Sequence, residues 1–262
     1  MDIMSTLGLG YLKFQGYKEY FEKLKQGSEN IRAIAAFALG QIGDETSVSQ
    51  IIETLEKEES IMVKIECIRA LTILRDPKAI DILSKKLKDD NASVRAAAAI
   101  ALGTLKANQA IKSLLESLHD IDIEVRINAI DSLAELGNKE TIKSLHNALN
   151  DPEPLVRRHA VGALGVLGNI ESISKLIKML DDNDTITKMM SAWSLGEIGE
   201  AALDQLIELL EKSKGENRIF ALEAINLIPN SSKAYDVIEK LTKSSEEWIK
   251  NVAISALKKM KK

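Results

Sequence analysis

A basic residue returns along this chain at a nearly constant interval, and nothing else limits the possible folds so strongly. It falls at Arg32, Lys64, Arg95, Arg126, Arg157, Lys188, Arg218 and Lys250, in steps of 32, 31, 31, 31, 31, 30 and 32 residues. The template goes on with alanine at the third following position in most copies, a small residue at the sixth, leucine at the seventh and an apolar residue at the tenth, as in Val94 through Leu105 and Val156 through Gly168. A second apolar set follows, for example Ile111, Leu114, Leu115 and Leu118, or Ile173, Leu176, Ile177 and Leu180. The i, i+3, i+4, i+7 spacing is that of one helical face. Its first residue recurs at Val48, Ile80, Ile111, Ile142, Ile173, Leu203 and Ala234, so every unit reads as a hairpin of two helices. A period of this size implies a stacked array in which each unit leans on its neighbours.

Composition agrees with that reading. Among 262 residues, 45% are apolar and 28% charged, as in ordinary globular proteins, and 4 prolines with 14 glycines supply little turn chemistry for a many-stranded sheet. The expected fold class is all-α, an α-α superhelix of about eight helical hairpins plus a C-terminal helix, forming a single continuous solenoid over residues 1–262. Stepping one period back from Val48 reaches Tyr17, and Tyr17, Tyr20, Phe21 and Leu24 fill the same face. Residues 1–27 are therefore expected to be an N-terminal capping repeat whose rings close the open core end. Residues 28–244 hold seven regular repeats and 245–262 a capping helix, whose basic run from Lys258 to Lys262 reads as a solvated terminus.

The repeated residues have packing explanations. Small side chains at the third and sixth positions are expected to let the two helices of a hairpin approach closely, with Gly40, Gly103, Gly165 and Gly196 at the tightest contacts. Gly43, Gly137, Gly168 and Gly199 come just past the first helix, where a C-cap needs positive φ. An acid stands six positions before five of the basic anchors: Glu58, Asp89, Asp120, Asp151 and Asp182. The reading is a polar ladder within or between units, the acids also capping helix starts. Lys212 and Ser244 replace the acid before Arg218 and Lys250, so those two cations should be the freer ones.

The pattern V-R-x-x-A-x-x-A-L-G-x-[IL]-G at this period resembles the HEAT-like repeats named after the phycobilisome lyases, and the resemblance covers essentially the whole chain. It implies a helical solenoid. It implies little about activity, because the family includes bilin lyase subunits, deoxyhypusine hydroxylase and scaffolds without catalysis. The hydroxylase holds iron through His-Glu pairs. Here Asp120, Asn147 and Ala160 follow His119, His146 and His159, so no such pair exists. A bilin lyase-like activity would need a chromophore pocket, and no insertion interrupts the period to build one.

Other chemistry is equally sparse. Cys67, the only cysteine, sits at a core position and excludes an intramolecular disulfide. Asp181-Asp182-Asn183-Asp184 lacks the glycine and the distal glutamate of a calcium loop and reads as a capping turn. No phosphate-binding loop, metal site, cofactor or catalytic residue is expected. The start of the chain lacks a secretion signal and no apolar run could span a membrane, so a cytoplasmic monomer is expected.

What remains is surface. In solenoids of this family the second helices line the concave side, and their solvent-facing residues there include Asp81, Lys85, Lys86, Lys112, Glu116, Lys143, Lys175 and Lys178, a mildly basic centre. Glu53, Asp204, Glu208, Asp236, Glu239 and Lys240 make the ends acidic. The expected function is a non-catalytic scaffold binding a partner protein there, one with an acidic or extended segment, through Lys85, Lys86, Lys112, Lys143, Lys175, Lys178 and Tyr235. Random solvated charge remains the other explanation. Nucleic acid is the alternative partner, weakened by a net charge of −4 and by Tyr235 being alone as a stacking ring on that face. Phe37, Ile100 and Trp193 should face the convex side in units too distant to share a patch, leaving Trp193 as a possible second contact.

Overall fold

The computed structural model describes residues 17–229 and 231–260. The part of the first-repeat reading that falls on residues 1–16 lies outside them, as do Lys261 and Lys262. Among the described residues the regular structure is sixteen α-helices and four short 3-10 turns, with no strand. The chain divides into two compact units, Met1–Leu136 and Gly137–Lys262.

The first unit contains α1 (Tyr17–Gln26), α2 (Glu29–Ile42), α3 (Ser47–Lys57), α4 (Ile61–Leu74), α5 (Ala79–Lys86), α6 (Ala92–Thr104), α7 (Ile111–Ser117) and α8 (Ile123–Leu136). The second contains α9 (Ile142–Ala148), α10 (Pro154–Leu167), α11 (Ile173–Met179), α12 (Thr185–Ile198), α13 (Glu200–Lys212), α14 (Asn217–Leu227), α15 (Tyr235–Leu241) and α16 (Glu247–Met260). Even-numbered helices begin each hairpin and are called A helices; odd-numbered ones are B helices. Within each unit, an A helix packs chiefly on the A helix of the next repeat, and a B helix on the A helix that follows it.

The repeat explains the core. Leu39, Leu71, Leu102 and Leu133 in the first unit and Leu164 and Leu195 in the second, all at the seventh template position, have no solvent exposure. Each such leucine contributes about 1.5–3 kcal/mol. The B helices add Ile51, Leu83, Leu114, Leu145, Leu176 and Leu206, also fully buried.

The small positions act differently from expectation. A Cβ on Gly103 would lie 2.9 Å from Ser132 Cα, and one on Gly40 would lie 2.7 Å from Ala70 Cα. Both neighbours are on the A helix of the next repeat, so the tight approach joins successive A helices rather than the two arms of a hairpin. Ser132 Oγ closes that contact by donating to the Ala99 carbonyl at 2.8 Å, and Ser194 Oγ does the same to Val161 at 3.2 Å in the second unit. The expected C-cap glycines do adopt positive φ, for example 58° at Gly168. Arg75 and Lys106 occupy the same template position with φ of 54° and 53°.

Candidate functional site

Within each unit the basic anchors form rungs that join one repeat to the next. Arg95 Nε and NH2 donate to the two Asp120 carboxylate oxygens, each at 2.7 Å, while NH1 donates to the carbonyls of Asp89 and Asp90 at 2.9 and 3.1 Å. Arg32 grips Glu58 and the Gly27 carbonyl in the same way. Lys64 makes a single 2.8 Å bond to Asp89. In the second unit Arg157 holds Asp182 at 2.8 and 2.7 Å and the Asp151 carbonyl at 2.9 Å.

The acid six residues before an anchor therefore serves the preceding repeat's cation with its carboxylate and its own repeat's arginine with its carbonyl. It stiffens the turn as well: Asp89 Oδ1 accepts from the Asn91 backbone N–H at 3.1 Å. The helix cap itself falls two residues later, at Asn91 or Asp184. Arg218 differs from expectation: it is buried, bonded to Glu246 at 2.7 Å, and stacked 5.5 Å from the Trp248 ring centre. Lys250 pairs on its own helix with Glu247 at 3.6 Å. Glu216, bonded by Lys188 at 3.3 Å, and Glu246 stand in for the acids missing at Lys212 and Ser244.

These ion pairs hold their carboxyls low. Burial pushes Glu58 upward, but its bonds from Arg32 and from the Ser60 N–H outweigh that and keep it below the usual glutamate value. The same balance, with Lys64 and Asn91 or with Arg95 and Asp122, lowers Asp89 and Asp120. Asp184, bonded by Arg158 and by both Thr187 donors, is lowered strongly. Sequence reading missed the Arg158–Asp184 pair at 2.8 Å; its only signal is an arginine and an aspartate each just past the repeated pair.

On the B-helix face of the first unit, opposite charges cancel. Lys85 reaches Glu56 at 3.4 Å, Lys57 reaches Glu53 at 2.9 Å, and Lys88 reaches Glu116 at 3.0 Å. Lys86 departs from the expected surface position: its side chain is 13% exposed and turned to Asp89 at 3.7 Å. Drawing it into the ladder leaves it unable to meet a partner. Lys112 is exposed and makes no ion pair among the described residues, but it sits beside Glu116, whose carboxyl Lys88 and then Lys112 hold low. An open cleft of about 790 Å³ between α1, α3 and the following turn is lined by the same kind of mutually paired groups, including Arg32, Glu58 and Lys57.

In the second unit Lys143 on α9 and Lys175 and Lys178 on α11 are exposed and have no hydrogen-bond or ion-pair partner among the described residues. His146 Nε2 lies 2.9 Å from Ser172 Oγ, tying α9 to the turn that precedes α11. Burial and the nearby Lys175 lower the His146 pKa. Asp204 and Glu208, expected to give an acidic end, are paired with Lys233 and Lys212. Tyr235 opens α15 and is half-buried.

The A-helix face carries apolar surface. Phe37 and Ile100, expected to lie too far apart to share a patch, line one groove of about 300 Å³ together with Ile65 and Ile73 of the intervening repeat. Their repeats flank α4, whose isoleucines join them. In the second unit Trp193 is 46% exposed, beside exposed Met189 and Ile186 on the same helix. Cys67 is fully buried, and burial pushes its thiol up to about 12. Among the described residues no group of three or more His, Cys, Asp or Glu side chains is placed to hold a metal ion. No helix among them is long and apolar enough to cross a membrane.

Comparison with known proteins bears on the fold. The CpcE–CpcF complex of phycocyanin lyase from Nostoc sp. PCC7120 is similar at 23% identity over 94% of this chain and 93% of that one, with a TM-score of 0.53. The Escherichia coli protein YibA is similar at 21% identity over 97% and 95%, with a TM-score of 0.60. Kap95p, solved with RanGDP, is similar at 15% identity and a TM-score of 0.72, over 95% of this chain and 40% of its own. No curated protein sequence matches. A family model for HEAT repeats matches residues 18–103, 50–122, 111–196 and 173–258. The arginine ladder, the small-residue contacts between A helices and this succession of matches together make the chain a member of the HEAT-repeat family.

Proposed function

We propose that this protein is a non-catalytic scaffold whose B helices present a binding face to a partner protein. The observation that carries the reading is the contrast between a satisfied interior ladder and exposed cations on α7, α9 and α11 that nothing within the described residues pairs. Unpaired surface charge steers encounter with an oppositely charged partner, acting on the association rate more than on final affinity. Lys85, Lys112, Lys143, Lys175, Lys178 and Tyr235 form the contact set in this reading, with Trp193 as a separate contact on the A-helix side. Residues 1–27 and 245–262 serve as caps on the seven regular repeats of 28–244.

Two similar proteins support partner binding by their company: CpcE is solved with CpcF and Kap95p with RanGDP. Catalysis has no equivalent support in the side chains, since no histidine is followed by the glutamate of a His-Glu pair and the buried thiol is protonated at physiological pH. The test is capture of the partner from native extract by the immobilised protein, followed by Lys112→Glu, Lys143→Glu and Lys175→Glu together. The triple variant should lose the captured protein; unchanged capture removes the B-helix face from the reading.

A further inference from the structure

We propose that the exposed face of α9 and α11 is a docking surface for a carboxylate-rich peptide segment, engaged by Lys143, Lys175 and Lys178. The proposal rests on the scaffold reading and narrows it to one unit and one partner chemistry.

The two helices carry three lysines and no aspartate or glutamate. In a chain of net charge −4 that is unusual company for cations, and the other B-helix lysines show what normally happens to them. Every other B helix carries at least one aspartate or glutamate among its lysines, Glu116 beside Lys112 for example, and Lys57, Lys85, Lys86 and Lys212 each pair with an acid of their own unit. The three on α9 and α11 do not. Lys175 and Lys178 are one turn apart and so project from one side of α11. The His146–Ser172 contact at 2.9 Å fixes α9 beside that helix, which brings Lys143 into the same neighbourhood. Gathering like charges costs free energy that a polyanion would return.

The residue types select the anion. Neither helix has an arginine to fork onto a phosphate or a Phe, Tyr or Trp ring on which a base could stack, and the His146 imidazole is half-buried against Ser172. Ammonium groups on mobile stems instead suit a run of carboxylates of no fixed geometry. Glu140 and Glu171 in the turns leading into the helices, and Asp181 beyond α11, bound the surface and limit the segment to a short one.

The experiment uses the full chain and a fluorescent decaglutamate peptide, with single-stranded decathymidylate as the competing polyanion. Anisotropy should show peptide binding that weakens with added salt. Lys143→Glu/Lys175→Glu/Lys178→Glu should weaken it at least about tenfold, and Lys85→Glu/Lys112→Glu in the first unit less than about twofold. Both variants are surface changes, and their circular dichroism should match the parent. Equal losses in the two variants overturn the proposal, as does absent peptide binding, or tighter binding of the oligonucleotide through the same lysines. Hydrogen exchange separates the two levels of inference. Protection confined to α9 and α11 supports the proposal; protection on first-unit B helices overturns it while the scaffold reading stands; protection on A helices removes both.

Discussion

Arg95 in the first unit and Arg157 in the second grip their partners alike, each with a two-pronged bond to an aspartate of the next repeat and a third bond to a carbonyl of its own turn. Lys85 and Lys178, which share one position on their respective B helices, do not behave alike: the first reaches Glu56, the second reaches nothing among the described residues. Repeats are held to one pattern where they touch each other and are free to diverge where they face solvent. Function in such an array lies in the departures, not in the consensus.

The broadest way to break the shared part is acid. Glu58, Asp89 and Asp120 in the first unit and Asp184 in the second have folded-state pKa values below their ordinary 4.5 and 3.8. Each therefore stabilises the fold above its unfolded-state value, and that contribution disappears as pH falls below it. Urea titrations should give a stability level down to about pH 5 and falling below it. Trp193 and Trp248 both lie in the second unit, so their fluorescence reports it while circular dichroism reports both. Asp184→Asn should flatten the acid dependence seen by the tryptophans; an unchanged profile contradicts the assignment.

Single rungs come next in size. Arg95→Ala and Arg157→Ala should each cost about 3 kcal/mol, because each strands a nearly buried carboxylate. Lys64→Ala should cost about 1 kcal/mol, since Lys64 makes one bond and Lys86 remains 3.7 Å from Asp89. Chemical denaturation measures all three, and markedly unequal costs for the two arginines would mean that the units do not share their interior after all.

The smallest effect concerns the helix ends. The first unit places Arg75 and Lys106 in the left-handed region where the second places Gly137 and Gly168. Arg75→Gly should raise stability by about 0.5–1 kcal/mol by relieving that conformation, net of the entropy glycine adds to the unfolded chain. A loss of stability would show that the Arg75 side chain has a role that offsets the strain.

Much of this was readable in the chain itself, for a physical reason. Steric demands repeat because every A helix meets the same surroundings, so Leu102, Gly103 and the capping glycines declare themselves by spacing. The direction of the ladder was not readable. Asp120 is six residues from Arg126 and twenty-five from Arg95, and nothing local says that its carboxylate joins the farther arginine. Adjacent Lys85 and Lys86 likewise look equivalent until the helix turns one outward and the other toward Asp89. The shared groove of Phe37 and Ile100 depends on α4 filling the gap between them, which spacing alone does not reveal.

Each rung takes a carboxylate from one copy and a guanidinium or ammonium from the copy before it. A gene that duplicates residues 92–122 in place would thus hand the newcomer an acid on one side and a cation on the other, with every charge still matched. An insertion of half that length would strand one of each. Growth and shrinkage of such a molecule are consequently quantised, and its length can drift over generations by whole modules without passing through an unstable intermediate.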